Sequence, residues 1–415
     1  MAFEGIEQFD EIVDRRGTNS YKWEDIPDVG VRKEDVSPLW VADMDFRTAP
    51  VVRRAIEARA KHGVFGYSYV PEAYYDAVRN WFGRRYGWTI EREWMQYTSG
   101  VVPALSCVLK ALVMPGDKVL VTTPVYNCFF SSIRNNGCEV LSSPLKMEDG
   151  RYAVDFEDFE KKCADEKTVA FLLCNPHNPG GRVWTREELA RIGEICYRHG
   201  VVVVSDEIHN ELVRFGNKYV PFASVNETNQ RCSVVCCSPS KSFNTAGLQI
   251  ANIICPNPVL RRRIDRAVNI NEVCDVNPFG IEATIAAYSQ EGAAWLDLLN
   301  QYVDENVQML NSFFCRLNLI LSEKGVAPAG ETFFRSMPLE ATYLAWVDCT
   351  ALCSRLGMDV DGLCRSLLQK EKVYFSSGTL YGKEGEGFVR INMACPRLIL
   401  GDALNRLEHF VLDSF

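Results

Sequence analysis

The chain has 415 residues, 47% of them hydrophobic, enough to bury a large core and to suggest two domains rather than one. That composition excludes a peptide hormone, a disordered tail and a collagen-like fibre. Lys plus Arg is 45 against Asp plus Glu 54, and the net charge of -9 offers no general attraction for a polyanion, which counts against nucleic acid as a principal partner.

Along the chain, residues 1–14 mix Glu4, Glu7, Asp10, Glu11 and Asp14 with isolated apolar residues. No basic segment leads into an apolar core, so a cytoplasmic protein is expected. No stretch reaches the roughly 18 to 20 continuous apolar residues of a membrane-spanning helix, and no membrane is expected as a partner. The first 45 or so residues contain no strand-helix-strand unit and are expected to pack on a smaller domain. Thr98-Ser99-Gly100-Val101-Val102-Pro103 reads as a glycine turn opening a helix, whose first amide hydrogens have no internal partner and face an anion.

Lys118 to Thr122 is a short apolar strand leading into Thr123-Pro124. Thr168 to Cys174 is a second, broken by Asn175 to Gly181. Thr185 and Glu188 then form a capping box opening a helix with Leu189, Ile192, Ile195 and Cys196 on one face. Gly200 stands where a left-handed cap ends that helix, and Val201 to Val204 follow as a strand ending in Ser205 and Asp206. Ser233 to Cys237 repeats the pattern and runs into Ser238-Pro239-Ser240-Lys241.

This alternation predicts an α/β fold, a mostly parallel sheet covered by helices. The last third differs: helical segments at Trp295 to Leu317 and Val360 to Gln369 interleave with strand-like Thr342 to Val347 and Phe388 to Asn392. The expected division is a large α/β domain over 46–290 and a smaller α+β domain from 1–45 and 291–415. The 16 cysteines are scattered through apolar runs, as at Cys174, Cys236, Cys237 and Cys255, and read as reduced buried thiols. Cys349 and Cys353 are spaced like a ligand pair but have no second pair, so no metal site is expected.

In open parallel sheets ligands bind beyond the carboxyl ends of the strands. Asn178 follows one strand, Asp206 the next, and Ser238, Ser240 and Lys241 a third, so three loops offer an amide, an acid, hydroxyls and an amine. An amine can form a Schiff base with an aldehyde cofactor, and a carboxylate can keep a pyridine nitrogen protonated so that the ring accepts electrons from a substrate carbanion. Pyridoxal 5'-phosphate asks for all these groups together. Neither GxGxxG nor GxxxxGK[ST], the fingerprints of nucleotide phosphate loops, is present. Read singly, Asp206 is also a plausible helix cap, Asn178 a turn residue and Ser238 and Ser240 ordinary turn hydroxyls. Arg390 lies between Phe388, Val389 and Ile391, where an unpaired charge is costly, and an anionic partner is expected for it.

Asn175-Pro-His-Asn-Pro-Gly-Gly181, Ser205-Asp-Glu-Ile-His209 and Ser238-Pro-Ser-Lys-Ser-Phe-Asn244 resemble motifs of fold-type I pyridoxal-phosphate enzymes, more narrowly the MalY/PatB group of cystathionine β-lyases. Further matches lie at Trp40-Val-Ala-Asp-Met-Asp-Phe46, Gly66-Tyr-Ser68, Thr123-Pro-Val-Tyr126, Tyr343-Leu-Ala-Trp346 and Gly387-Phe-Val-Arg-Ile-Asn392, so the resemblance spans nearly the whole chain.

It implies that Lys241 binds the cofactor covalently, Asp206 pairs with the pyridine nitrogen, Asn178 bonds the ring hydroxyl and Tyr126 stacks on the ring. It assigns the phosphate to Ser238, Ser240 and the amides of Val101 and Val102, with Tyr67 arriving from the other subunit of a homodimer. Arg390 is expected to clamp the substrate carboxylate, with the backbone near Ala42 closing over it. Two positions depart from aminotransferases of this fold. Gln249 stands where many carry a phosphate-binding Arg, and His209 stands where many carry a Tyr for the ring hydroxyl; His209 is kept as a cofactor-side residue of open role. The expected reaction is α,β-elimination on a sulfur-bearing L-amino acid, giving thiol, pyruvate and ammonia. An aminotransferase shares the steps up to the carbanion and stays open from sequence, as does a cofactor-holding regulatory module that binds a protein.

Overall fold

The computed structural model describes residues 5–327 and 331–415. Seven strands form the main sheet: β1 (Met95–Thr98), β2 (Lys118–Thr123), β3 (Glu139–Pro144), β4 (Thr168–Cys174), β5 (Val202–Asp206), β6 (Ser233–Cys237) and β7 (Ala251–Ile254). Their spatial order is β1-β7-β6-β5-β4-β2-β3. β7 runs antiparallel to both its neighbours, and the remaining pairs are parallel.

The apolar runs are continuous because both faces of this sheet are covered, so inward and outward residues are equally dry. Val119, Val121, Ala170, Leu172 and Val204 pack on one side with Ala104, Leu105 and Val108 of helix α1 (Val101–Leu112). Their chain neighbours Leu120, Phe171, Leu173 and Val203 pack on the other, against Leu189, Ile192, Ile195 and Cys196 of α2 (Arg186–Arg198). The Thr185–Glu188 capping box is formed, and Gly200 has φ 70°.

A second, antiparallel sheet has the order β8-β9-β11-β10, from β8 (Arg335–Ser336), β9 (Leu344–Asp348), β10 (Ser376–Ser377) and β11 (Phe388–Asn392). Helices α3 (Gln290–Glu323), α4 (Val360–Glu371) and α5 (Arg397–Leu412) share its core. The strand expected from Thr342 begins at Leu344. Thr342 itself has φ 71°, and its hydroxyl accepts the Leu344 N–H, so it turns the chain into the strand.

Residues 5–45 pack on this second sheet and on α3: the Asn392 N–H of β11 donates to Leu39 O at 2.9 Å, Ser37–Pro38 forms a separate two-stranded parallel sheet with Val373–Tyr374, and the Phe9 ring lies 5.4 Å from that of Tyr302. Among the described residues no helix is long and apolar enough to cross a membrane. For the site, strand order is what matters. β5 lies between β4 and β6, with Asp206 in register with Cys174 on one side and Cys236 on the other, so three carboxyl ends open side by side.

Candidate active site

The three strand ends converge on one cavity of about 280 Å³. Asn178, Asp206, His209, Ser240 and Lys241 face it from the loops after β4, β5 and β6, while Ala42, Tyr126, Val101 and Val102 close its sides.

Asp206 is 3% exposed and accepts one hydrogen bond, from the Ile208 N–H at 3.1 Å. Turns rather than a helix follow it, so it caps nothing. Burial pushes its carboxyl up to about 7, since a dry site disfavours the charged form, and this outweighs the Ile208 N–H and the opposing charge of Lys241. Lys241 Nζ donates to the Ala42 carbonyl at 2.5 Å. Burial pulls its ammonium below the usual lysine range, against the opposing charge of Asp43.

Asn178 spends its carbonyl oxygen on Arg390, whose Nη1 donates to it at 3.2 Å, so its amide hydrogens remain for a ligand. Arg390 Nη2 donates to Trp40 O at 2.9 Å, and the guanidinium lies 4.7 Å from the centre of the Tyr381 ring. Its Nε is buried without a partner. His209 Nδ1 is likewise buried without a partner, and burial, reinforced by Lys241 and Arg390, pushes the imidazole down to about 3, so it is neutral at ordinary pH. The edge of His209 meets Tyr343 at 6.3 Å between ring centres.

At the opposite end, α1 begins at Val101 with Gly100 before it at φ 147°. A Cβ there would sit 3.4 Å from the Pro103 ring, and the bare backbone exposes the first amide hydrogens of the helix to the cavity.

Two expected residues stand behind the wall rather than in it. Ser238 is fully buried, donates to Ile250 O at 2.5 Å and accepts from the Ser240 N–H at 3.1 Å, so its hydroxyl shapes the turn that presents Ser240 and Lys241. Arg390 joins the site through Asn178. Tyr67 lies apart and fully exposed. Sequence reasoning gave no role to Ile208 or Tyr343. Ile208 lines the cavity, and the Tyr343 hydroxyl donates to the Ala42 carbonyl at 3.0 Å. Both lie inside the motifs quoted above, but an apolar residue between two polar ones and a tyrosine beside a strand look like packing.

The donor set fits pyridoxal 5'-phosphate. An uncompensated buried acid suits a ring nitrogen that carries a proton, a spare amide suits the ring hydroxyl, and an amine suits the aldehyde. Helix amides with the Ser240 hydroxyl suit a phosphate. Buried Nδ1 of His209 and Nε of Arg390, both without partners, are the polar atoms such a ligand and its substrate would satisfy.

The family model described as aminotransferase class I and II matches residues 34–407. The chain is 41% identical over 401 residues to cystathionine beta-lyase PatB of Bacillus subtilis (strain 168), covering 96% of this chain and 98% of that one. Among solved structures it is similar to cystalysin of Treponema denticola, which contains a pyridoxal 5'-phosphate cofactor, with a TM-score of 0.90 and 32% identity over all of both chains. It is also similar to the PLP-bound C-S lyase of Staphylococcus hominis, with a TM-score of 0.87 and 33% identity over 98% of this chain and 99% of that one.

Proposed function

We propose a function from one premise: the chain belongs to the aminotransferase class I and II family, on the fold-type I architecture of pyridoxal-phosphate enzymes. It is a pyridoxal-phosphate-dependent lyase that eliminates the sulfur group from the β-carbon of an L-amino acid such as cystathionine or a cysteine S-conjugate, giving a thiol, pyruvate and ammonia. The observation that carries this is the meeting of Lys241, Asp206 and Asn178 in one cavity.

When bound, the cofactor supplies an aldehyde that takes up amino nitrogen and a ring that draws electrons from the α-carbon. Asp206 would hold the proton on the ring nitrogen, whose positive charge would favour the ionised form of this buried carboxyl. Asn178 would direct its free amide hydrogens at the ring hydroxyl. Tyr126 would lie over the ring, while the Val101 and Val102 amides and the Ser240 hydroxyl would hold the phosphate, with Ser238 fixing the turn behind them. Arg390 holds the substrate carboxylate through its unpartnered edge, and the Ala42 backbone closes over it.

Lys241, whose proton affinity burial lowers, would take the α-proton on Nζ and return a proton to the departing sulfur. His209 is neutral, so its part is a hydrogen bond on the cofactor side and not a charge.

The exposed run Val64, Phe65, Tyr67 and Tyr69 supports a homodimer in which Tyr67 reaches the phosphate site of the other subunit. All 16 cysteines are free, which supports a reducing, cytoplasmic location. We further divide the chain into a large domain, 46–290, and a smaller one made of 1–45 and 291–415.

The test is pyruvate release from cystathionine by purified enzyme with no 2-oxo acid added. Pyruvate should appear with wild type, and Lys241→Ala should lower the rate at least a thousandfold and change the visible spectrum of the bound cofactor. Turnover that requires an added 2-oxo acid would make the protein an aminotransferase instead.

A further inference from the structure

Backbone 40–46 runs beside the cavity as an irregular strap with Ala42 in the cavity wall, and its carbonyls are taken up one after another. Trp40 O accepts from Arg390 Nη2 at 2.9 Å and from Ser376 Oγ at 3.0 Å. Val41 O and Asp43 O both accept from Asn392 Nδ2 at 2.6 Å. Between them, Ala42 O receives Lys241 Nζ and the Tyr343 hydroxyl. The strap therefore sets where two groups of the reaction sit: the amine of Lys241 and the guanidinium of Arg390.

The outer side of the strap is held by charge. Arg15 lies 28 to 30 residues away in sequence and grips three consecutive residues with one guanidinium. Nη1 and Nη2 take the two oxygens of Asp43 at 3.1 and 2.7 Å, and Nη1 also reaches Met44 O at 3.1 Å and Asp45 Oδ1 at 2.9 Å. Asp45 is 1% exposed and accepts from Lys22 Nζ at 2.7 Å and Trp23 Nε1 at 2.8 Å as well; the Lys22 side chain is wholly buried. A forked, planar donor is needed to hold Asp43 by both oxygens while touching its two successors, and lysine cannot do this. Buried ion pairs add little net stability but fix geometry when fully hydrogen-bonded, and such a network suits a part whose position matters more than its strength.

We propose that Arg15 is a positioning residue for the active site: by clasping Asp43, Met44 and Asp45 from outside, it fixes the Ala42 carbonyl over Lys241 and holds Trp40 O against Arg390, so that the substrate carboxylate meets a preset site. The kinetic part of this inference rests on the lyase reading above; the structural part does not.

The experiment compares Arg15→Lys and Arg15→Gln with wild type and with Arg32→Gln, a change in an exposed arginine that pairs only with Glu34 and Asp35 among the described residues. Arg15→Lys keeps a positive charge beside the two acids, so folding is not the quantity in doubt. Holoenzyme kinetics with cystathionine should show KM raised about tenfold in Arg15→Lys, more in Arg15→Gln and unchanged in Arg32→Gln, with kcat falling less than threefold. Amide hydrogen exchange should be at least tenfold faster across 41–45 in both Arg15 variants, while β4, β5 and β6 keep wild-type protection. Unchanged exchange in the strap, or acceleration spread evenly through the main sheet, would overturn the proposal. If wild type releases no pyruvate, the lyase reading fails, and exchange in the strap still decides the role of Arg15.

Discussion

Asp206 is the residue whose environment has the plainest measurable consequence. Its carboxyl titrates near 7 in the folded protein against an ordinary 3.8, because burial makes its ionisation costly. A folded-state pKa above the unfolded one means the group's contribution to stability is complete below about pH 4 and is lost as pH rises toward 7. His209 has the opposite sign: its folded pKa of about 3 lies below the ordinary 6.5, so its contribution is complete above that value and lost on acidification. The two slopes oppose each other between about pH 4 and 6.5, and Glu207, pushed up to about 7 by burial, and His177, pushed down to about 3, add slopes of the same two signs to the whole-protein curve. The difference between Asp206→Asn and wild type, both freed of cofactor, isolates the acid. The variant should gain on wild type as pH rises from about 4 to about 7, by up to about 1.4 kcal/mol per pH unit, and the gain should level off above that. Thermal unfolding across pH measures it, and a pH-independent difference would mean that Asp206 ionises as freely as in water.

At the scale of the element, the start of α1 makes its own prediction. Gly100 holds φ 147°, where a side chain is strained, and sits against Pro103 just before the amides that face the cavity. Gly100→Ala should weaken cofactor binding about tenfold in a fluorescence titration, equivalent to about 1.4 kcal/mol, while the helix itself persists. An unchanged dissociation constant would remove those amides from the phosphate site. The unit β4-α2-β5 was readable in advance because two dry strands, a capping box and a left-handed glycine are local signals that agree with one another. The direction of β7 was not readable: Ala251 to Ile254 is apolar, and an apolar run reads the same whether its neighbours run with it or against it. Ser238 shows the same limit. Its residue type pointed to the ligand, but its hydroxyl is committed to Ile250, twelve positions on, a pairing that only the folded turn brings about.

For the molecule as a whole, the exposed aromatic run around Tyr67 leads to a prediction about assembly. The chain of 46.9 kDa should sediment at about twice that mass. Tyr67→Phe should keep that mass and lose cofactor faster on dialysis, and a fully active monomer would end the dimer proposal. Long-range charge was the least legible part of the fold. Arg182 meets Glu340 across 158 residues, and Glu340 also receives Arg151 and the Val183 N–H, tying the loop before β9 to the turn after Asn178. No spacing rule links such partners, so neither this network nor the clasp of Arg15 had a signature in the sequence.

The cysteines carry one last implication. Burial drives the thiols of Cys174, Cys196, Cys236, Cys237 and Cys349 far above their ordinary range, so at neutral pH they stay protonated, and a protonated sulfur neither attacks a disulfide nor reacts with an oxidant. Cys315 is exposed and Cys128 and Cys274 are half-buried, so an alkylating reagent applied to the folded protein should label these three and spare the five.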